Sequence, residues 1–409
     1  MFTSTLKGRW WTSLSTLLLA GLAANDLLAQ DALLQECPRR SYTVAILVKD
    51  KTPPPLKSPS AEDQKKLQAL LTERRDVLKE AFEARWKHVK GGVGFVSGDL
   101  LDASFLLLQA ELELIDKSDD RIGAHEKHVK QMKEMEDITE AQAKNGKIRG
   151  DAYKQVQGLR LAAEIDMLRE KAGGKPSAEQ TVAIKKLLEA RRDALREEVE
   201  SKFGRIKRGL EGLSADFGDA SRRLSQAELE LTDKPDDRVA VLEKQLALSR
   251  DIEKVIKSQG DFGKVRREVV DESKARRLLD EIALLREKAG AKPSAEQTAE
   301  IRKLLVERRD ALEAVMKAKL ARIQAGLETV ESFSLDLDAF RFHLQSELEL
   351  LDKAADRVAA HQKHIERAKK IEEVLKKPYD DGKIRVEIYL QTKAARLEAE
   401  IGLLREQMK

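Results

Sequence analysis

The chain has 409 residues, 36% of them charged and only 4% aromatic, and its 76 Lys and Arg nearly balance its 72 Asp and Glu, for a formal net charge of +4. Leu, Ala, Glu, Lys and Arg dominate, as in long helices and coiled coils. The basic residues alternate with acidic ones, as in EARRDALREEVE from Glu189, which argues against the clustered basic face of a nucleic-acid binder.

The first 29 residues read as a secretory signal peptide. Lys7 and Arg9 precede an apolar run from Trp10 to Ala24, and cleavage is expected near Ala24 or Ala29. That run is shorter than the roughly 20 residues of a membrane span, and a short uncleaved anchor is the alternative. A later apolar stretch, SFLLLQAELEL, is interrupted by Glu111 and Glu113. The expected location is therefore the periplasm or cell envelope, with at most peripheral membrane association. Residues 30–56 read as an extended arm: SYTVAILV from Ser41 suits one strand without a partner, and KTPPPLKSP a stiff spacer. Cys37 is the single cysteine, which excludes an internal disulfide and leaves a spare thiol or an intermolecular bridge.

From there the chain repeats itself. REKAGGKPSAEQ at Arg169 returns as REKAGAKPSAEQ at Arg286, and a worn form, KSPSAEDQ, stands at Lys57. Pro59, Pro176 and Pro293 keep a step of 117, as do Arg75, Arg192 and Arg309, and Gly92, Gly209 and Gly326. AELEL at Ala110 and Ala227 matches SELEL at Ser346, where the step is 119, so the third copy takes two extra residues between Gly326 and Ser346. NGKIR, FGKVR and DGKIR then align at Gly146, Gly263 and Gly382. Three tandem units follow, at 57–173, 174–290 and 291–409. Each is expected to be an antiparallel bundle of three or four long amphipathic, coiled-coil-like helices, making the chain all-α.

Each unit opens with Ser as a helix cap and Glu in the first turn. In the first copy Leu67, Leu71, Leu78, Phe82, Trp86 and Val89 make one apolar stripe, matched by Ile184 to Ile206 with Phe203, and by Ile301 to Ile323. Gly92 and its equivalents end that helix. A second helix runs through LLDASFLLLQAELEL, and the chain breaks at Ser118 and at Pro235. The third copy has Ala354 and Ala355 there, so its helix is free to run through. A third helix ends at Gly146, Gly263 or Gly382, and a last helix ends at LLREK.

No residue set specifies catalysis, cofactor binding or a metal. His125 and His128, and His361 and His364, sit at i and i+3, a spacing that can hold a metal. The middle copy has Leu242 and Gln245 instead, so half-exposed helix positions are the expected reading. Glu111 and Glu113 fall on different helix faces. Glu164, Glu281 and Glu400 recur in every copy and are expected to pair with Arg121, Arg238 and Arg357 at a helix interface. VKGGVG at Val89 lacks the Gly-Lys-Ser/Thr ending of a phosphate loop and reads as a helix terminus.

One rhythm is familiar. Gly92 leads to Ala110-Glu111-Leu112, and Gly146 to Ala163-Glu164-Ile165. A glycine followed by a leucine-rich helix ending in Ala-Glu-Leu/Ile resembles the helical hairpins of TolC-like outer-membrane efflux proteins. The resemblance implies an envelope helical assembly. The family's barrel strands have no counterpart between these units, and no functional residue carries over. The expected function is thus an exported, non-enzymatic helical repeat protein acting as a structural, spacer or protein-binding component of the envelope. An efflux-associated component is the second reading and an enzyme a remote third. Expected partners are a helical protein or further copies of the chain in a homo-oligomer, without cofactor or nucleic acid.

Overall fold

The structure is a computed structural model that describes residues 60–173, 175–208, 215–324 and 337–409. The expected signal peptide, the expected arm and strand with Cys37, and Gly209, Gly326 and most of the stretch that takes the insertion lie outside these residues.

The described residues form twelve α-helices and no strand. They are α1 (Ala61–Lys90), α2 (Gly98–Leu112), α3 (Ser118–Lys144) and α4 (Gly150–Ala172) from the first copy. The second gives α5 (Ala178–Lys207), α6 (Ala215–Glu230), α7 (Pro235–Asp261) and α8 (Arg267–Ala289). The third gives α9 (Ala295–Gln324), α10 (Leu337–Leu348), α11 (Ala354–Asp380) and α12 (Val386–Gln407). The expected all-α class holds.

Ser60, Ser177 and Ser294 cap the long first helices by accepting from the amides of Asp63, Gln180 and Gln297. In the last two cases the glutamine side chain accepts from the serine amide in return, a full capping box. The other signals fall where the sequence put them: the helix ends at Lys90 with Gly92 at φ 73°, and Gly146, Gly263 and Gly382 turn the chain at φ 65–66°.

The third copy departs from expectation. Its helix does not run through Ala354 but stops at Leu348, and Lys353 is extended at ψ 135°. The cause is an arginine rather than a breaker residue. Arg357 donates to the carbonyls of Leu351 and Asp352. Arg121 and Arg238 likewise donate to Leu112 and Leu229 at the ends of α2 and α6. An arginine from the following helix satisfies carbonyls that a helix end would otherwise leave bare.

The packing does not stop at copy boundaries. α4 lies along α5, α8 along α9, and α12 returns to lie along α1, so the last helix of each copy packs on the first helix of the next, cyclically. Small residues make the approach close. A Cβ on Gly158 of α4 would stand 2.8 Å from Leu195 of α5. The same position is Ala275, in one cluster with Leu312, and Ala394, in one cluster with Leu78. The cluster around Leu78, Leu101, Met132 and Met135 includes Leu390 and Leu397 of α12, so the first copy's core is completed by the third.

Two predictions follow from closure. A circularly permuted chain that begins at Ser177, with residue 409 joined to Ser60 by a short Gly-Ser linker, should keep the parent's helical circular dichroism and a single melting transition. The fully buried Leu397 reports the closing seam: Leu397→Ala should cost about 2–5 kcal/mol in denaturant unfolding.

Candidate functional site

The histidine pairs are not half-exposed. His125, His128, His361 and His364 are all buried, because the helix face that carries them also carries Val129, Met132 and Met135, or Ile365 and Ala368, into the core. His128 Nδ1 lies 3.2 Å from Ser104 Oγ, and its ring meets the Phe105 ring edge-on. His364 stacks on Phe340 with ring centroids 3.6 Å apart. The middle copy shows what the position does: Gln245 there accepts from Ser221, the equivalent of Ser104. His128, His364 and Gln245 each meet the second helix of their copy, while His361 packs against Gly402 of α12 and Gln245 also donates to Asp280 of α8. Among the described residues, no group of three or more metal-ligating side chains converges.

A third histidine of the last copy, missed in the sequence, is the most buried. His343 on α10 is 1% exposed, at the position held by Leu107 and Leu224. Among the described residues neither ring nitrogen has a hydrogen-bond partner. Burial first, then the positive field of Arg367, push its pKa down to about 4. The ring is therefore neutral at pH 7 and forms no ion pair with Glu347, 3.8 Å away. Burial likewise pushes His364 well below its ordinary value.

The recurring glutamates do sit in ion pairs, but not with the arginines expected. Arg121, Arg238 and Arg357 bind Glu170, Glu287 and Glu406, each at 2.6–2.7 Å. These acids stand six residues, nearly two turns, beyond Glu164, Glu281 and Glu400. The latter are taken by Arg160, Arg277 and Arg396 on their own helices, each of which also reaches across to Glu136, Glu253 or Glu372. Burial works against these three guanidinium charges, yet the two glutamates beside each hold the pKa above the ordinary value.

Two further sets join one copy to the next. At the end of α2, α6 and α10, Glu113, Glu230 and Glu349 each face two arginines. Glu230 takes Arg191 of its own copy at 2.5 Å and Arg169 of the first copy at 3.1 Å. Glu113 takes Arg74 of its own copy and Arg405 of the third, both at 3.0 Å. Glu349 takes Arg286 of the second copy at 2.6 Å and lies in the field of buried Arg308, which burial pushes down to about 10. Burial opposes ionisation of Glu230, but Arg191 and Arg169 hold its carboxyl below the usual range. At the opposite end, buried Asp151, Glu268 and Glu387 start α4, α8 and α12. They meet Arg205, Arg322 and Arg85 on the first helix of the next copy at 2.8, 3.8 and 3.9 Å.

A buried polar cluster in the second copy also escaped the sequence. Arg222 reaches Asp280 at 3.1 Å, Ser249 and Gln245 donate to the same carboxylate, and Arg276 pairs with Asp219 and Glu272. The adjoining cavity of about 30 Å³ has room for one water. A shallow depression of about 700 Å³ beside α1 is lined by Gln68, Thr72, Asp76 and the pair Lys393–Glu73.

Exposure singles out the surface instead. The large exposed apolar side chains among the described residues are Val93, Phe95, Val182, Phe203 and Phe262. Phe203 was expected on the core stripe; it lies in the last turn of α5 at 38% exposure, stacked on Phe217 and beneath Lys207. No helix among the described residues is long and apolar enough to cross a membrane. No protein-family model matches the chain, and no curated protein matches it.

The ion pairs and the histidine give two measurable outcomes. Glu230→Gln strands two arginines against a buried neighbour and should cost about 3 kcal/mol, whereas Asp76→Asn at the exposed Arg75 pair should cost less than about 1 kcal/mol. His343 is neutral when folded and has a pKa near 6.5 when unfolded, so its contribution is full above 6.5 and falls as pH drops toward 4. His343→Leu should remove about 3 kcal/mol of the acid sensitivity measured by urea unfolding between those pH values.

Proposed function

We propose that the chain is an exported, non-enzymatic helical scaffold built of three tandem units, which acts by presenting its surface to envelope partners. The observation that carries this reading is the use made of interior charge. Most of the buried arginine–carboxylate pairs recur in the same places in each copy, between helices, and two of the sets join one copy to the next, while the Arg222–Asp280 cluster belongs to the second copy alone. Catalysis favours the opposite: a perturbed group in a cleft with a partner aimed at substrate. The expected partner is a helical protein or another copy, met without cofactor or nucleic acid. An efflux-type component is the second reading, favoured by the helical hairpins alone.

Fractionation of cells producing the full chain tests this. Osmotic shock with a salt wash should release the protein without detergent. Extraction from the outer membrane by detergent alone would replace the scaffold reading with the efflux-type one. Sedimentation of the released protein across concentration then reads self-association directly.

A further inference from the structure

Helix direction gives the body two different ends. The first and third helices of each copy finish, and the second and fourth begin, at one end; Gln142 at the end of α3 donates to Gly94 in the α1–α2 loop there, at 3.3 Å. Call this the turn end. The copies join at the other, the linker end.

Four of the five exposed large apolar side chains lie at the turn end. Val93 and Phe95, 81% and 56% exposed, stand in the α1–α2 loop, Phe262 at 75% caps the α7–α8 turn, and Phe203 lies four residues before the end of α5. Cations stand on the same tips: Lys90, Lys147, Lys207, Lys264 and Lys383 are exposed. Among the described acids there, Asp151, Glu268 and Glu387 are buried in the pins between copies, Asp99 and Glu140 are partly exposed, and Asp261, Asp380 and Asp381 are exposed. The linker end is mixed: Asp116, Asp119, Asp120, Asp233, Asp236 and Asp237 are exposed there, and so are Lys117, Lys171, Lys175, Lys234, Lys288, Lys292 and Lys353.

We infer that the turn end docks on an anionic phospholipid surface. Among the described residues the apolar groups stand on three different elements, Val93 and Phe95 in the α1–α2 loop, Phe203 on α5 and Phe262 at the α7–α8 turn. Tips with an aromatic ring and a lysine close by suit a headgroup layer, where the ring sinks to the acyl boundary and the cation meets lipid phosphate. A second copy of the chain is the rival occupant, since exposed aspartates of the linker end complement the lysines of the turn end. The linker end offers only Val182 against the four apolar tips. The inference goes beyond the scaffold reading and is tested separately from it: vesicle binding reads docking, fractionation reads export.

Flotation of the full chain with vesicles of phosphatidylcholine alone, or mixed with phosphatidylglycerol, decides it. All variants keep the run from Trp10 to Ala24, so differences between them report the turn end. The wild type should bind the anionic vesicles at least tenfold better than the neutral ones. Phe95→Ser/Phe262→Ser and Lys147→Glu/Lys264→Glu should each lose about tenfold, and Val182→Ser nothing. Melting by circular dichroism checks the fold; if a double variant melts early, the single changes Phe95→Ser and Lys264→Glu serve, each losing about threefold. Equal binding by wild type and by either kind of turn-end variant would overturn the proposal. So would equal binding to both vesicles, or lipid-free association that Lys147→Glu/Lys264→Glu abolishes without any vesicle binding.

Discussion

The rest of the structure depends on one arrangement: a carboxylate at the end of each copy's short second helix, facing an arginine of its own copy and another from the copy before. Glu113, Glu230 and Glu349 are its three instances, and for Glu113 the neighbour is Arg405, 292 residues away. Burying such groups costs desolvation, and a buried ion pair is weak support for stability by itself. What it provides is discrimination. A helix shifted by one turn leaves two guanidinium groups and a carboxylate without partners, a cost of several kcal/mol. An apolar stripe of leucines tolerates that shift far better, since leucine meets leucine in either register. The pins therefore fix the axial position of one copy on the next, and the leucines supply the adhesion.

Closure follows from repetition of this contact. If the fourth helix of every copy fits the first helix of the next, the third copy ends with a face that matches the first helix of the chain. Satisfying it brings together segments more than 300 residues apart, but loop-closure entropy grows only logarithmically with length. One buried seam of α12 on α1, with Leu397 fully enclosed, offsets it. The cyclic seams are not identical. Arg205 and Arg322 hold Asp151 and Glu268, while the equivalent position in the first copy is His88, and Arg85, one turn earlier, reaches Glu387 instead. The contact survives because Arg85 lies on the same helix face with enough length to span the turn.

The helices were legible because each is announced locally: a serine cap, a stripe of period near 3.6, a glycine at positive φ. What was not legible depended on neighbours. The stop before Ala354 is enforced by Arg357 reaching back to the carbonyls of Leu351 and Asp352, so a sequence without a breaker residue still breaks. Glu164 and Glu170 both reach α3 from the last helix of their copy, and the offset and rotation of α4 against α3 decide which one Arg121 meets. The histidines looked half-exposed because nothing in AHEKH tells which side of the helix a partner will cover. Closure leaves no mark on the sequence, because the fit of α12 to α1 is written in the same words as the fit of α4 to α5. As for a site, the glycine-rich stretch at Val89 was correctly a helix end, but His343 was missed for want of any motif.

The interior and the surface obey different symmetries. Inside, most charged positions recur with the step of 117 or 119 because three equivalent seams need equivalent pins. At the tips no seam constrains the residue. The position of Phe262 holds Asn145 in the first copy and Asp381 in the third, although all three turns share a glycine at the same φ. An exposed phenylalanine contributes nothing to the fold at a place where asparagine and aspartate serve the same turn equally well. Its presence on one tip is a surface property of the assembled body, carried by a scaffold whose repeats are otherwise held to one pattern by the packing between them.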